Sequence, residues 1–315
     1  MNIPEAELII IGGGPAGLTA AQYGARANLP VLVVEQLAPG GQALLIDKLE
    51  NYPGIAPDTS GYDFAEILRR QAEEFGAGFL SDSALSLEKK GDRFRLTLGS
   101  GGILEAPAVI IATGTRHRTL DIPGEAEFYG RGVSYCAVCD GPFFKNKKIF
   151  VVGGGDAACD EALYLSRLSP QVALIHRRDR FRAQKAIAER TLSNPNIKVR
   201  FNTRMLEIRG DRQVSSVVLE RIDTGEQYEE DAAAVFIFTG TIPQTAFISG
   251  PVPEFDENGY IVTDQSMATT LPGLFAAGDV RAAPFRQVVV AAGEGAVAAH
   301  SAAAYIDALK GESYR

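Results

Sequence analysis

The sequence predicts an α/β fold with two nucleotide-binding units, and three observations predict it. Two segments, ELIIIGGGPAGLTAAQYGARANLPVLVVE (7–35) and KKIFVVGGGDAACDEALYLSRLSPQVALIHRR (147–178), follow one plan. Each runs from a β-branched strand through a glycine turn and an alanine-rich helix to a second apolar strand. That is a βαβ unit, so the strands of each must be parallel. The third observation is length: 315 residues exceed one compact domain of ordinary size.

In chain order, ELIII (7–11) is a buried strand and VLVVE (31–35) its parallel partner. ENYPGIAPDTSG (50–61) is turn-rich, and FAEILRRQAEEFG (64–76) has the spacing of an amphipathic helix. RFRLTL (93–98) alternates polar and apolar residues, as a half-buried strand does. APAVIIATG (106–114) and AAAVFIFTG (232–240) are apolar runs that each end in Thr-Gly, so both read as buried strands closed by a tight turn. GLFAAGDV (273–280) reads as a strand closing on Asp279, and AAGEGAVAAHSAAAYIDAL (291–309) as a final helix.

Composition narrows the class. The chain is 46% apolar and 22% charged, as in a soluble globular protein, with a net charge of −8. That balance, with no basic and aromatic cluster, argues against nucleic acid. No uninterrupted apolar run reaches the roughly 18 residues a membrane span requires. The first strand begins almost at once, which leaves no room for a signal peptide. Three cysteines are too few for a secreted disulfide scaffold, so a reducing cytoplasm is expected.

The glycine turns carry the first chemistry. In Gly12-x-Gly14-x-x-Gly17 the first glycine permits the turn and the second lets a pyrophosphate approach the backbone. The third lets helix and strand pack closely, while the helix N-terminus faces the phosphates. Glu35 ends the next strand, 21 residues after Gly14, where a carboxylate accepts from a ribose hydroxyl. The second loop is Gly153-x-Gly155-x-x-Ala158, and its following strand ends in His176, Arg177 and Arg178, with Arg182 one turn on. Cations in the place of Glu35 suit a 2′-phosphate, so this unit is expected to take NADPH rather than NAD. A solvated basic turn is the plainer alternative.

Between the two loops lies SYCAVCDGPF (134–143), holding Cys136 and Cys139 in C-x-x-C spacing, then Asp140. A zinc half-site lacks further ligands, for only Cys159 and three scattered histidines remain. A thioredoxin-like site would start a helix, which DGPFF is expected to break. A static bridge suits cytosol poorly. A catalytic dithiol is the favoured reading, with Asp140 as an acid for a leaving thiolate or, more plainly, a turn residue before Gly141. Cys159 reads as a small buried residue, and His117 and His300 as bystanders.

GGGPAG, GGQ (40–42), ENYPG (50–54), CAVCDG (136–141), GGGDAACDEALYLS, HRRDRFRA (176–183) and GLFAAGDVRAAPFRQVVVAAGEG (273–295) occur in that order. Together they closely resemble the low-molecular-weight, bacterial-type thioredoxin reductases over nearly the whole chain. The resemblance implies a homodimeric flavoprotein with two Rossmann-like domains of the three-layer ββα sandwich type. An FAD domain is made from both ends of the chain, 1–115 and 246–315, and an NADPH domain, 116–245, is inserted between them. It implies FAD contacts from Gly12, Gly14, Pro15, Ala16, Gly17, Glu35, Gly41, Gln42, Asn51, Thr113 and Gly114, and from Gly278, Asp279, Arg286, Gln287 and Val288. NADPH would meet Gly153, Gly154, Gly155, Asp156, Ala157, His176, Arg177, Arg178 and Arg182.

The implied reaction is NADPH + H⁺ + oxidised thioredoxin → NADP⁺ + reduced thioredoxin, with Cys139 facing the flavin and Cys136 attacking the partner. The absence of cysteine before residue 136 sets the chain apart from the glutathione-reductase type. Four departures bear on the disulfide partner more than on the chemistry. Asp160 stands where Glu is usual, and Pro142 where an aromatic residue is frequent. GTIPQT (240–245) carries no His after its Gly, and AAPF (282–285) lacks polar residues. The same chemistry serving a glutaredoxin-like protein, a peroxiredoxin system or oxygen is the main alternative, and a non-catalytic nucleotide-binding module a more distant one. Because one inserted domain would carry both the disulfide and the nucleotide, a rotation pivoting near 115–118 and 244–247 is expected. Counting along Lys148–Val152 puts the disulfide toward the start of that strand.

Overall fold

A computed structural model describes residues 6–46, 49, 51–56 and 58–311. Glu50 and Pro57 of the turn-rich segment therefore lie outside the described residues. The chain forms two compact units, one from Met1–Arg116 and Ile242–Arg315, the other from His117–Thr241. Arg116 and residues 242–245, expected in the second unit, lie with the first. Gln244 is the reason: its N–H donates to the Gly114 carbonyl at 3.0 Å and its side-chain amide to the Thr113 carbonyl at 2.7 Å, while the Thr113 hydroxyl donates to the Gln244 carbonyl at 2.7 Å.

The first unit has a five-stranded parallel sheet in the order Leu274–Ala276, Ala108–Ile111, Leu8–Ile11, Val31–Glu35, Gly78–Ser81. Alternate residues serve opposite faces. Leu8, Ile10, Val31, Val33 and Ile110 pack on alanines of helices Pro15–Arg26 and Val288–Lys310. Ile9, Ile11, Leu32, Val34 and Ile111 pack on Leu87, Phe94, Leu96 and Leu98 of an antiparallel sheet, Ala84–Lys90, Arg93–Leu98 and Ile103–Ala106. Covering on both faces is why the central strands read as unbroken apolar runs.

The second unit repeats the design with Ile197–Arg200, Val172–Ile175, Ile149–Gly153, Ala234–Phe238 and Val133–Ser134, all parallel. Ile149, Val151 and Phe236 face helix Asp156–Leu168, while Phe150, Val152 and Val235 face a meander of Thr203–Gly210, Val214–Arg221 and Gln227–Asp231. The two units are thus each helix, parallel sheet and antiparallel sheet in three layers.

Two local expectations change. DGPFF does not break a helix: Cys136 caps a short turn, Ala137–Asp140, which continues as a 3₁₀ turn through Gly141–Phe144 with Pro142 in its first turn, where a missing N–H costs nothing. The strand expected to close on Asp279 ends at Ala276, and Asp279 lies in the 3₁₀ turn Gly278–Val280. The final helix, Val288–Lys310, is long and apolar enough to cross a membrane by length and composition alone. Its Ala298, Ala299, Ala302, Ala303 and Ile306 are instead buried in the first unit's core.

Candidate functional site

The first glycine loop is built by close approach. Gly12 has φ +104°, and a Cβ there would lie 2.4 Å from the Ala112 carbonyl oxygen. A Cβ on Gly17 would lie 1.9 Å from the Gly12 carbonyl oxygen, so any side chain would push helix and strand apart. Gly14 differs. It precedes the helix in an extended conformation, and a Cβ there would meet nothing within 4 Å. Pro15 takes the first helical position and Ala16 is buried behind it. Among the described residues no side chain caps this helix, so its first amides are available to an anion.

Glu35 is fixed by main-chain donors: the Gly13 N–H at 2.6 Å and the Leu37 N–H at 2.8 Å, one on each oxygen. Each oxygen keeps lone-pair capacity for a hydroxyl. Gly41 (φ +55°) brings its backbone against Gly14. The Gln42 amide donates to the Thr115 carbonyl at 2.6 Å, and the Asn51 amide to the Gln287 side-chain oxygen at 2.9 Å, tying this loop to the residue that precedes Val288 and the final helix. Thr113 and Gly114 are engaged by Gln244 as above.

Gly278 (φ +76°) donates its N–H to Glu294 at 2.8 Å, and Glu294 also holds Arg281. Burial pushes the Asp279 carboxyl up from its usual value; Arg286 opposes this and Glu294 adds to it. Arg286 stacks over Tyr260 at 4.1 Å, and its buried Nε has no partner among the described residues. Open backbone at Gly14, a carboxylate anchored at Glu35 and an unsatisfied guanidinium nitrogen at Arg286 fit an adenine dinucleotide whose polar groups complete these bonds.

The second loop has the same logic. A Cβ on Gly153 would meet the Phe238 carbonyl oxygen at 2.5 Å, whereas Gly155, before helix Asp156–Leu168, meets nothing within 4 Å. Gly154 lies on the ring of His176, where a Cβ would fall 2.2 Å from imidazole atoms. The His176 pKa is lowered, by burial first and then by Arg178, Arg182 and Arg177, so the ring is neutral near pH 7; its buried Nε2 has no partner among the described residues. Asp156 accepts from the Gln184 N–H at 2.7 Å and Arg182 donates its own N–H to the Gly154 carbonyl at 2.7 Å, closing the basic segment onto the loop. Ala157, Arg177, Arg178 and Arg182 are exposed, and the three guanidinium groups carry no ion pair among the described residues.

Cys136 and Cys139 are joined, with S–S 2.00 Å and Cα–Cα 5.4 Å. Both are half-buried, as is Asp140, and the Cys139 N–H donates to the Cys136 sulfur at 3.2 Å. The turn that carries them follows the edge strand Val133–Ser134, and Ala137 packs with Ala158 and Ala162 of the loop's own helix. Ser134 pairs with Phe236, which in turn pairs with Val151. Ser134 is therefore level with mid-strand, two strands and about 10 Å to one side. From there the turn with the disulfide runs to Gly141, which packs against Leu165 and Leu168 at the C-terminal end of helix Asp156–Leu168.

A family model described as pyridine nucleotide-disulphide oxidoreductase matches residues 6–295. The chain belongs to the pyridine nucleotide-disulphide oxidoreductase family. Within this family it is 56% identical over 306 residues to a thioredoxin reductase of Treponema pallidum, covering 97% of this chain and 99% of that one. It is 42% identical to a thioredoxin reductase of Peptoclostridium litorale, over 97% of this chain and 98% of that one. A solved thioredoxin reductase of Streptococcus pyogenes superposes with a TM-score of 0.81 at 40% identity, covering 96% of this chain and 99% of that one.

Oxidoreductase family membership makes sense of two residues that the sequence reading passed over. Glu294 organises the Gly278–Asp279 turn from the final helix; its signal was an acid in an otherwise alanine-rich run. Ser134 bonds both main-chain groups of Cys136, and a serine ending a two-residue strand leaves no pattern to find. Cys159 is fully buried, and burial pushes its thiol up from the usual value. His117 stacks on Tyr135 at 4.9 Å.

Proposed function

We propose that the chain is an NADPH-dependent, FAD-containing thioredoxin reductase. The observation that carries this is a closed Cys136–Cys139 disulfide in the same unit as a glycine loop that, among the described residues, has no side-chain cap and is flanked by three arginines without an ion pair. The unit formed by Met1–Arg116 and Ile242–Arg315 would hold FAD through Gly12, Gly14, Glu35, Asp279 and Arg286. The inserted unit, His117–Thr241, would hold NADPH, with Arg177, Arg178 and Arg182 on the 2′-phosphate. Bound FAD would supply the route by which an electron pair from NADPH opens the disulfide. A cytoplasmic homodimer goes with this reading, and light scattering of the purified protein tests the dimer.

The dithiol chemistry is then the chain's own. The Cys136 thiolate attacks one sulfur of oxidised thioredoxin, and the other leaves as a thiolate that takes a proton, for which Asp140 is the neighbouring acid. The Cys139 thiolate attacks Cys136 in the mixed disulfide, restoring Cys136–Cys139 and releasing the second partner thiol. The Cys139 N–H donates to the Cys136 sulfur, which places a fixed donor beside the attacking atom.

Pro142, in the position where relatives carry an aromatic residue, favours testing other acceptors. NADPH oxidation should be measured with oxidised thioredoxin, a glutaredoxin-like protein, a peroxiredoxin and oxygen. Thioredoxin should give the highest kcat/KM, and a Cys139→Ser variant should trap it as a mixed disulfide where Cys136→Ser does not. A larger kcat/KM for another acceptor would replace thioredoxin as substrate. No turnover with any disulfide would remove the enzyme reading.

A further inference from the structure

We propose that Ser134 is a positioning residue for Cys136, assisted by Tyr135 and Glu125; the proposal rests on the reading of Cys136 as the attacking cysteine. Ser134 is 2% exposed and ends the edge strand. Its hydroxyl accepts from the Cys136 N–H at 3.0 Å and donates to the Cys136 carbonyl at 3.2 Å. The Asp140 N–H donates to the same carbonyl at 3.2 Å. One buried side chain thus engages both main-chain polar groups of a half-buried cysteine.

The next residue is held as firmly. The Tyr135 hydroxyl donates to Glu125 at 2.7 Å, and its ring stacks on His117 and tilts against Tyr129. Glu125 is 3% exposed and also accepts the Leu120 N–H at 2.9 Å and the Asp121 N–H at 2.8 Å. It is a buried carboxylate filled by fixed donors, with one place left for Tyr135.

These bonds matter most when the disulfide is open. Closed, the S–S bond itself fixes Cys136 relative to Cys139. Once it is reduced, that covalent tie is gone, and a strand of only two residues offers little ladder to replace it. What then keeps the Cys136 sulfur over the Cys139 N–H is the extended conformation at Cys136 (φ −138°, ψ 102°), which Ser134 and Glu125 secure from the side of the strand. Losing the Ser134 hydroxyl leaves the Cys136 N–H of a half-buried residue without its acceptor, worth about tenfold in rate if that donor must stay in place for exchange.

The holoenzyme tests this with two readouts. First, turnover of NADPH with a disulfide dye is compared with ferricyanide reduction, which needs no dithiol. Second, in a Cys139→Ser background, the pH profile of iodoacetamide alkylation reports the Cys136 thiol; the charged and titratable groups on its turn and around the adjoining Tyr135 are Asp140, Tyr135, Glu125, Tyr129 and His117. Ser134→Ala should lower disulfide turnover about tenfold, leave ferricyanide reduction unchanged and shift the alkylation profile to higher pH. Ser134→Thr, which keeps the hydroxyl, should restore both, and Tyr135→Phe should give a smaller loss of the same kind. Unchanged turnover and alkylation in Ser134→Ala would overturn the proposal. So would equal loss of disulfide and ferricyanide activity, which marks a purely structural role. Failure of the parent enzyme to reduce any disulfide would instead overturn the functional reading, since the alkylation profile does not depend on it.

Discussion

Two glycines separate folding from binding at the residue scale. Gly17 sits where a Cβ would fall 1.9 Å from a carbonyl oxygen, whereas Gly14 faces open space in a conformation alanine adopts freely. Gly17→Ala should therefore lower Tm and flavin content together. Gly14→Ala should keep the Tm of the flavin-free protein within about 2 °C, a change under about 0.5 kcal/mol, while flavin absorbance is lost. Equal Tm losses in the two flavin-free variants would refute the distinction. Arg177 and Arg178 are exposed and make no ion pair among the described residues, so their donors can serve a ligand. A charge-assisted hydrogen bond contributes roughly 1.5–3 kcal/mol, and two predict an NADPH preference of at least about 10²-fold in kcat/KM. The double Ala variant should bring the NADPH:NADH ratio near unity with NADH turnover retained. A parent enzyme that uses both nucleotides equally would rule this out.

The helix Asp156–Leu168 carries a titration the sequence does not advertise. Glu161 is half-buried and its pKa is raised from the usual 4.5 to about 7, by burial first and by Asp160 second. It lies one turn before Tyr164 and Leu165, the residues against which Gly141 of the disulfide turn packs. Between pH 4.5 and 7 the folded state holds a proton that the unfolded chain has lost, so stability falls as pH rises across that window. The full effect is at most about 3 kcal/mol. Glu161→Gln should match the parent in Tm at pH 4.5 and exceed it at pH 8. Parallel Tm curves for the two proteins would show that burial of Glu161 costs nothing. The elements themselves were largely legible. Both βαβ units, RFRLTL and the final helix sit where their patterns put them. The meander Thr203–Arg221 was not read, because strands such as TRMLEIRG mix charge on the solvent side with scattered apolar residues and no turn signal stronger than Gly210-Asp211.

For the whole molecule, one unit carries both the disulfide turn and the second nucleotide loop, two strands apart in the same sheet. In the proposed reaction each would come within about 3–3.5 Å of the same electron carrier in turn. About 10 Å of lateral offset forbids both at once in one pose. The expected motion is a rotation about the chain crossings at Arg116–His117 and Thr241–Ile242. A cross-link that fixes the units with the dithiol against the flavin should block flavin reduction by NADPH and spare reduction by a dithiol. Full NADPH turnover in the cross-linked enzyme would end the rotation model.

The sequence by itself determined the chemistry-bearing parts that are local: two glycine turns at fixed offsets, a C-x-x-C pair, basic residues at a strand end, and strands apolar on both faces. Each is set by steric or electrostatic demands within a few residues, so a short stretch suffices to read it. Only the tertiary structure decided what lies across a sheet. It put Cys136 just beyond an edge strand, two strands to one side of the strand that feeds the second glycine loop. It drew residues 242–245 into the first unit through Gln244, set Glu294 and Ser134 against backbone groups 16 and 2 residues away, and set Glu125 against the Tyr135 hydroxyl 10 residues away. Strand order and side-chain reach are settled by which buried polar groups find partners once the layers close, and no spacing along the chain records that outcome.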